Sequence, residues 1–201
     1  MSEGPSSVPS MKKPTGTELA SWRRQFDRRI TETIASCGCF IQGVSGQGRT
    51  PPFAYTVGLY ELGHPELITY GLDSQSAWGV LNWFFERIRD GGGLSPGDIV
   101  QPPGSDTRFL VEDFPAAGTV LHTVNLHYRR DRWNPVRAYQ LTWDADGSFP
   151  WEPGYPCAVW LQPRPRSSQG VTGRGHLTRA AFTDQVLQAP IVLPARPRPP
   201  Q

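Results

Sequence analysis

The chain lacks the features that place a protein in a membrane or among small secreted domains. No apolar run approaches the roughly 20 residues that span a bilayer. The opening residues, MSEGPSSVPSMKKP, carry no apolar stretch after their charges, so they do not follow the pattern of a secretory signal peptide. The cysteines number three, and an odd count indicates reduced thiols and not a disulfide framework. We therefore expect a soluble cytoplasmic protein without a membrane partner.

The motifs of common enzyme and metal sites are also lacking. The glycine-rich stretch 43–48 is followed by neither a Gly-Lys-Ser/Thr sequence nor a helix, which argues against a phosphate-binding loop. No G-x-S-x-G sequence marks the serine of an acyl-transfer enzyme. Cys37 and Cys39 are spaced too closely for a zinc knuckle, and the four histidines form no H-x-x-x-H pair, so we expect no metal site.

Charges of the two signs are nearly balanced in number but unevenly distributed along the chain. Twenty Lys and Arg residues against 18 Asp and Glu residues give a net charge of +2. Residues 37–163 hold eight basic and thirteen acidic side chains, whereas residues 164–201 hold six and one. Because an acidic domain without a basic stripe is poorly suited to nucleic acid, we expect no specific nucleic-acid partner.

Composition separates a folded core from its ends. The chain has 21 glycines and 21 prolines, yet 11% of its residues are aromatic, and disordered segments are poor in aromatic residues. We predict a disordered tail over residues 1–16, a single domain over residues 17–163, and a disordered tail over residues 164–201. In the second tail, arginine alternates with proline and glycine, which opposes both helix and sheet.

Hydrophobic periodicity predicts two helices and six strands. One amphipathic helix begins near Thr17, its expected N-cap, and a central helix follows Asp73 or Ser74 and runs to about Asp90. The apolar residues expected to face inward from the central helix are Trp78, Leu81, Phe84, Phe85 and Ile88. The predicted strands cover residues 39–44, 53–59, 66–71, 107–114, 119–128 and 136–143. This order predicts an α+β domain with a mostly antiparallel sheet, packed by the N-terminal and the central helix.

One polar cluster has the residue types of acid and base chemistry. His64 and Glu66 flank a proline at the mouth of a predicted strand, where an imidazole and a carboxylate can act on a bound substrate. Tyr55 lies on the preceding strand, and Gln140 lies on a later one. These four residues are the candidate catalytic group if they surround one opening, whereas a rigid turn with capped polar groups is the alternative interpretation.

Tryptophans in the second half of the chain are the candidate binding residues. Trp133, Trp143 and Trp151 lie near several prolines, and such aromatic loops can form a surface for a peptide or a planar ligand. Packing inside a loop-rich domain explains them equally well.

Four short motifs follow one another along the domain: PFAYTVGL at 52–59, GHPEL at 63–67, QLTWD at 140–144 and GSFPW at 147–151. In this order they resemble a bacterial family catalogued as domain of unknown function 4262 (DUF4262), over roughly residues 30–157. That family name implies no activity. Cys39 stands where most members are expected to carry a larger residue, and this difference concerns packing.

The same order of a Tyr-Thr-Val-Gly-Leu strand, a Pro-Glu-Leu strand and a helix is similar, more distantly, to the suppressor-of-fused-like superfamily. That resemblance implies an immunity or interaction module. A strand, a proline turn and a second strand are also similar to split-barrel flavin reductases, which implies a flavin cofactor for an enzyme. Both are likenesses of pattern, and fold alone does not determine function.

We therefore expect a protein-binding or immunity-like interaction module, without a cofactor. Its binding surface would be the concave side of the sheet together with the tryptophan and proline loops, and its acidic domain would favour a basic protein partner. The alternative is an enzyme of unknown reaction with a pocket around Tyr55, His64 and Glu66, and a flavin is its candidate cofactor. The sequence does not distinguish a monomer from an oligomer.

Overall fold

The computed structural model describes residues 15–165, so the predictions made for residues 1–14 and 166–201 lie outside the described residues. The helices are α1 (Gly16–Cys37), α2 (Ser74–Arg89), α3 (Ala117–Val120) and α4 (His122–His127). The strands are β1 (Phe40–Val44), β2 (Phe53–Val57), β3 (Glu66–Tyr70), β4 (Ile99–Val100), β5 (Phe109–Asp113) and β6 (Ala138–Trp143). Two short 3-10 helices cover Leu59–Leu62 and Val159–Leu161.

One six-stranded sheet organises the domain, in the order β1-β2-β3-β6-β5-β4. Every neighbouring pair is antiparallel except β3 and β6, which run parallel. The predicted α+β class with a mostly antiparallel sheet is confirmed. The pairing of β3 with β6 brings together segments that are some 70 positions apart in the chain, and short-range sequence patterns do not predict such a pairing.

Helices cover both faces of the sheet. On one face, α1, α3 and α4 pack around Tyr55 of β2 and Ile68 of β3. On the other face, α2 packs against Leu67 of β3 and Leu141 of β6. Because side chains alternate between the two faces along each strand, β1, β2, β3 and β6 each contribute to both clusters. Helices therefore pack on both faces of the sheet, and binding of a partner on its concave side stays a prediction.

The N-terminal helix begins two residues earlier than predicted. Thr15, and not Thr17, is the N-cap: its hydroxyl accepts from the Glu18 backbone N–H, and the Glu18 carboxylate accepts from the Thr15 N–H. This reciprocal pair is a capping box, which satisfies donors that the first helical turn leaves free. Ile30 and Ile34 on the apolar side of this helix are buried.

The predicted strand over residues 119–128 is wrong, because the chain forms α3 and α4 there. Leu121 and Val124 are three residues apart, and both are buried in the cluster beneath α1. The Asn125 side chain donates to the carbonyls of Ala117 and Leu121. It also accepts from the Val136 backbone N–H. The short apolar run is compatible with the two-residue period of a strand and with the 3.6-residue period of a helix, and these hydrogen bonds favour the helix.

The central helix agrees with its prediction in bounds and in most of its buried face. Asp73 is the N-cap, and its carboxylate accepts from the backbone N–H groups of Gln75 and Ser76. The buried residues are Ala77, Leu81, Phe84, Phe85 and Ile88. Trp78, which was expected to face inward, is only half-buried, because Ala77 occupies the position next to the sheet.

Candidate functional site

Tyr55 and Gln140 lie on the same face of the sheet, in one row across the strands. Tyr55 pairs with Ile68, and Ile68 pairs with Gln140. Both polar side chains are buried: the Tyr55 hydroxyl accepts from the Thr123 N–H at 3.3 Å, and the Gln140 amide donates to the Pro163 carbonyl at 2.9 Å. Burial raises the pKa of Tyr55 to about 12, so its hydroxyl stays protonated at neutral pH.

Glu66 is a fully buried carboxylate that holds the loop after β2. One oxygen accepts from the backbone N–H groups of Gly58 and Tyr60, at 2.9 and 3.1 Å. The other accepts from the Thr56 hydroxyl at 2.6 Å and from the Leu59 N–H at 3.3 Å. Burial raises the pKa of Glu66 to about 7, while these four hydrogen bonds act in the opposite direction. Glu66 therefore links β3 to the start of the 3-10 helix.

His64 is directed to the other face of the sheet. Its Nδ1–H donates to the Pro65 carbonyl at 2.6 Å, and its Nε2 accepts from the Leu94 N–H at 3.3 Å. The ring contacts Tyr139 edge-on at 5.7 Å between centroids, in the cluster beneath α2. Burial lowers the pKa of His64, in keeping with a neutral ring whose two nitrogens both bind the protein.

The four candidate catalytic residues therefore do not surround one opening. Tyr55 and Gln140 lie beneath the α1 side of the sheet, Glu66 is enclosed by backbone N–H groups, and His64 packs on the α2 side. None of them lines either of the two described cavities. Nothing in this arrangement favours the enzyme alternative or its flavin.

The candidate tryptophans are divided between two regions. Trp133 precedes β6 and is 81% exposed, with the Arg132 guanidinium over its ring. Trp143 ends β6, so it lies toward the opposite end of that strand, and its indole N–H donates to the Tyr70 carbonyl at 2.7 Å. Trp151 stacks on Phe149. Trp133 is therefore separated from Trp143, and the three do not form one aromatic surface.

The larger of the two described cavities is an open groove of about 750 Å³ beside Trp143. The first half of α2 forms one wall, and the residues before β5 and the turn after β6 form the other. Its apolar lining residues are Leu72, Val80, Phe109, Trp143 and Ala145. Its polar lining residues are Ser76, Ser105, Asp106, Thr107, Asp144 and Asp146. Among the residues that line this groove, none is basic.

Two of the three groove aspartates are free to meet a ligand. Asp144 is buried, and its carboxylate accepts from the backbone N–H and the Nε–H of Arg108, both at 2.6 Å. Arg108 therefore compensates its charge and fixes the turn after β6. Asp106 and Asp146 are exposed. The groove consequently presents an uncompensated negative charge beside an indole ring.

Sequence reasoning identified Trp143 but missed the aspartates and a glycine of this groove. Gly79 lies inside α2, lines the groove, and has nothing within 4 Å of the position that a Cβ would occupy. A glycine within a helix costs roughly 1 kcal/mol relative to alanine. A glycine in the middle of a predicted helix was the sequence signal that could have indicated a functional surface on this side of α2.

Among residues 15–165, no three His, Cys, Asp or Glu side chains are grouped so that they could hold a metal ion. In that range no helix has both the length and the apolar character needed to cross a bilayer.

Comparison with known proteins identifies the family. A family model described as domain of unknown function (DUF4262) matches residues 33–156, and the chain belongs to this family. The match contains all six strands, α2 and the groove. No curated protein and no solved structure matches the chain. The resemblance to the suppressor-of-fused-like superfamily is not supported.

The buried position of Glu66 predicts a dependence of stability on pH. Its pKa is about 7 in the folded chain, against an ordinary value of 4.5, so folding favours the protonated form. The free energy of unfolding should therefore fall as pH rises from 4.5 to 7, by roughly 3 kcal/mol at about 1.4 kcal/mol per pKa unit. Urea unfolding of the wild type and of Glu66→Gln, compared from pH 4 to 8, isolates this contribution.

The control is Glu32→Gln, which changes an exposed carboxylate on α1. The difference in unfolding free energy between wild type and this control should stay constant over the same pH range. A difference between wild type and Glu66→Gln that is equally constant would contradict the assignment.

Proposed function

We propose that the chain is a protein-binding module whose groove takes a basic segment of a partner protein. One observation carries this proposal: an open groove of about 750 Å³ in which Asp106 and Asp146 stand beside Trp143 without a basic lining residue. Ligand sites typically have volumes of about 300 to 1,000 Å³ and combine an apolar lining with a few polar groups. The groove has this composition.

The chemistry of the groove favours a cation on a flexible chain. A lysine or arginine side chain can place its methylenes on the apolar lining and its charge between the two exposed carboxylates. An indole face adds attraction for a cation. Residues 37–163 also carry thirteen acidic against eight basic side chains, so the field of the whole domain attracts a basic partner.

Gly79 supports the same interpretation. A residue that weakens its own helix is expected at places where function requires it. Here the absence of a side chain leaves the α2 wall of the groove open. The protein-binding and immunity-like expectation is thereby narrowed to one surface, the groove.

Removing the two exposed charges should weaken binding of a basic peptide. We expect Asp106→Asn/Asp146→Asn to lower the affinity for the peptide acetyl-GKGKGKG-amide about five-fold, at roughly 0.5 kcal/mol for each exposed charge contact. Calorimetric titration at low ionic strength measures this. The acidic peptide acetyl-GEGEGEG-amide is the matched control and should not bind. Equal affinity of wild type and double variant for the basic peptide would overturn the proposal.

Two substitutions of Gly79 distinguish its effect on helix stability from its effect on binding in the groove. Gly79→Ala should raise the free energy of unfolding by roughly 0.5 to 1 kcal/mol, because alanine is the better helix former and its Cβ meets nothing. Gly79→Leu should remain folded yet lose binding of the basic peptide, because its side chain fills the groove. Thermal unfolding and the same titration check both outcomes. Unchanged binding by Gly79→Leu shows that the groove is not the binding surface.

A further inference from the structure

Arg164 occupies a site built from an aromatic ring and a buried carboxylate. Its guanidinium lies over the Trp151 ring at 4.1 Å from the centroid, and its Nη2 donates to Oε1 of Glu112 at 2.9 Å. The Arg164 side chain is 39% exposed, whereas that of Glu112 is only 6% exposed. Glu112 therefore lies at the inner end of a site that opens to solvent.

The carboxylate side of the site is fixed by a chain of hydrogen bonds. The second oxygen of Glu112 accepts from the Thr142 hydroxyl at 2.8 Å, and that hydroxyl accepts from the Gln140 amide at 3.2 Å. Glu112 and Gln140 are direct cross-strand neighbours on β5 and β6. The amide oxygen of Gln140 is buried and has no hydrogen-bond partner among the described residues. A buried carboxylate in this position needs a cation, since an unpaired buried charge is strongly destabilising.

The aromatic side of the site is equally rigid. Trp151 stacks parallel on Phe149 with 5.0 Å between ring centroids. The Arg108 guanidinium lies over the Phe149 ring at 5.3 Å, and the Asp144 carboxylate holds that guanidinium. Phe149 therefore packs against the Trp151 ring independently of any cation bound to that ring.

Arg164 is not the residue that anchors its own segment. Two residues earlier, Gln162 is 1% exposed, and its amide bonds both the N–H and the carbonyl of Trp143, at 2.9 and 2.8 Å. The Pro163 carbonyl in turn accepts from the Gln140 amide at 2.9 Å. The backbone up to Pro163 is therefore held by bonds that do not involve the Arg164 side chain.

We propose that Trp151 and Glu112 form a guanidinium-binding site, which Arg164 fills within the chain and which an arginine side chain of a partner protein fills in exchange. A guanidinium fits this geometry better than an ammonium, because its plane stacks on the indole while its edge donates to the carboxylate. The amide oxygen of Gln140 adds an unused acceptor beside Glu112. This site is distinct from the groove, and the inference does not depend on the groove proposal.

Because Arg164 competes with any added ligand for the site, the test compares ligand affinities with and without the Arg164 side chain. A tethered side chain acts at an effective concentration on the order of millimolar, so Arg164 masks the site from weak ligands. The full-length Arg164→Ala variant should therefore bind acetyl-Gly-Arg-Gly-amide at least about five-fold more tightly than wild type does. It should also bind this peptide at least about five-fold more tightly than acetyl-Gly-Lys-Gly-amide. NMR titration of the Trp151 indole resonance, assigned with Trp151→Phe, measures the three affinities.

A second measurement covers the loss of stability that Arg164→Ala is expected to cause. Millimolar N-ethylguanidinium should raise the Tm of Arg164→Ala, and ethylammonium at the same concentration should not. The double variant Arg164→Ala/Glu112→Gln should respond to neither compound.

If Arg164→Ala does not fold, the same peptide titration is made on Arg164→Lys, which keeps the charge and should release the site more readily than wild type. Equal affinity for the arginine and lysine peptides, or an unchanged response after loss of Glu112, would overturn the proposal.

Discussion

The parallel pairing of β3 with β6 is the constraint on which the rest of the architecture depends. Two parallel strands begin at the same end of a sheet, so the chain between Tyr70 and Ala138 must return to its starting end. On its way it places α2 on one face, adds β5 and β4 beyond β6, and places α3 and α4 on the other face. Helices thereby pack on both faces of the sheet.

The two ends differ in how they are filled. At one end, the Glu66 carboxylate accepts hydrogen bonds from the backbone N–H groups of residues 58–60, so these donors are satisfied within the chain. At the other end, β3 stops at Tyr70 while β6 continues to Trp143, whose backbone bonds the Gln162 side chain instead. The turn after β6 forms one wall of the groove at this end. The segment after Gln162 instead brings Arg164 to Glu112, which pairs with Gln140 in the middle of β6, so the guanidinium site lies on the face of the sheet that Tyr55 shares.

Local sequence patterns predicted much of the fold. The apolar residues of α2 extend over enough positions to define the helical period. The segment over residues 119–128 is different, because its few apolar residues fit a strand or a helix. Hydrogen bonds of Asn125 to Ala117 and Val136 accompany the helix there, and such bonds depend on the finished fold.

The candidate site was predictable only in part, for the same reason. Trp143 was predicted as a binding residue because its aromatic type and its proline-rich surroundings can be read without knowing the topology. The separation of His64 from Tyr55 and Gln140 follows from strand register and from which face each side chain occupies, and the sequence specifies neither. Arg164 was placed in a tail on composition, and its contacts with Trp151 and Glu112 were not predicted, because they depend on the finished fold.

The central claim, that this end of the sheet is the binding surface, is tested most directly by mapping a ligand on the whole chain. We would titrate the isotopically labelled full-length protein with acetyl-GKGKGKG-amide at low salt and follow every backbone amide by NMR. We expect the largest chemical-shift changes on residues 72–80, 105–109 and 143–147, which border the groove. Changes centred on residues 58–66, at the opposite end around Glu66, would contradict it.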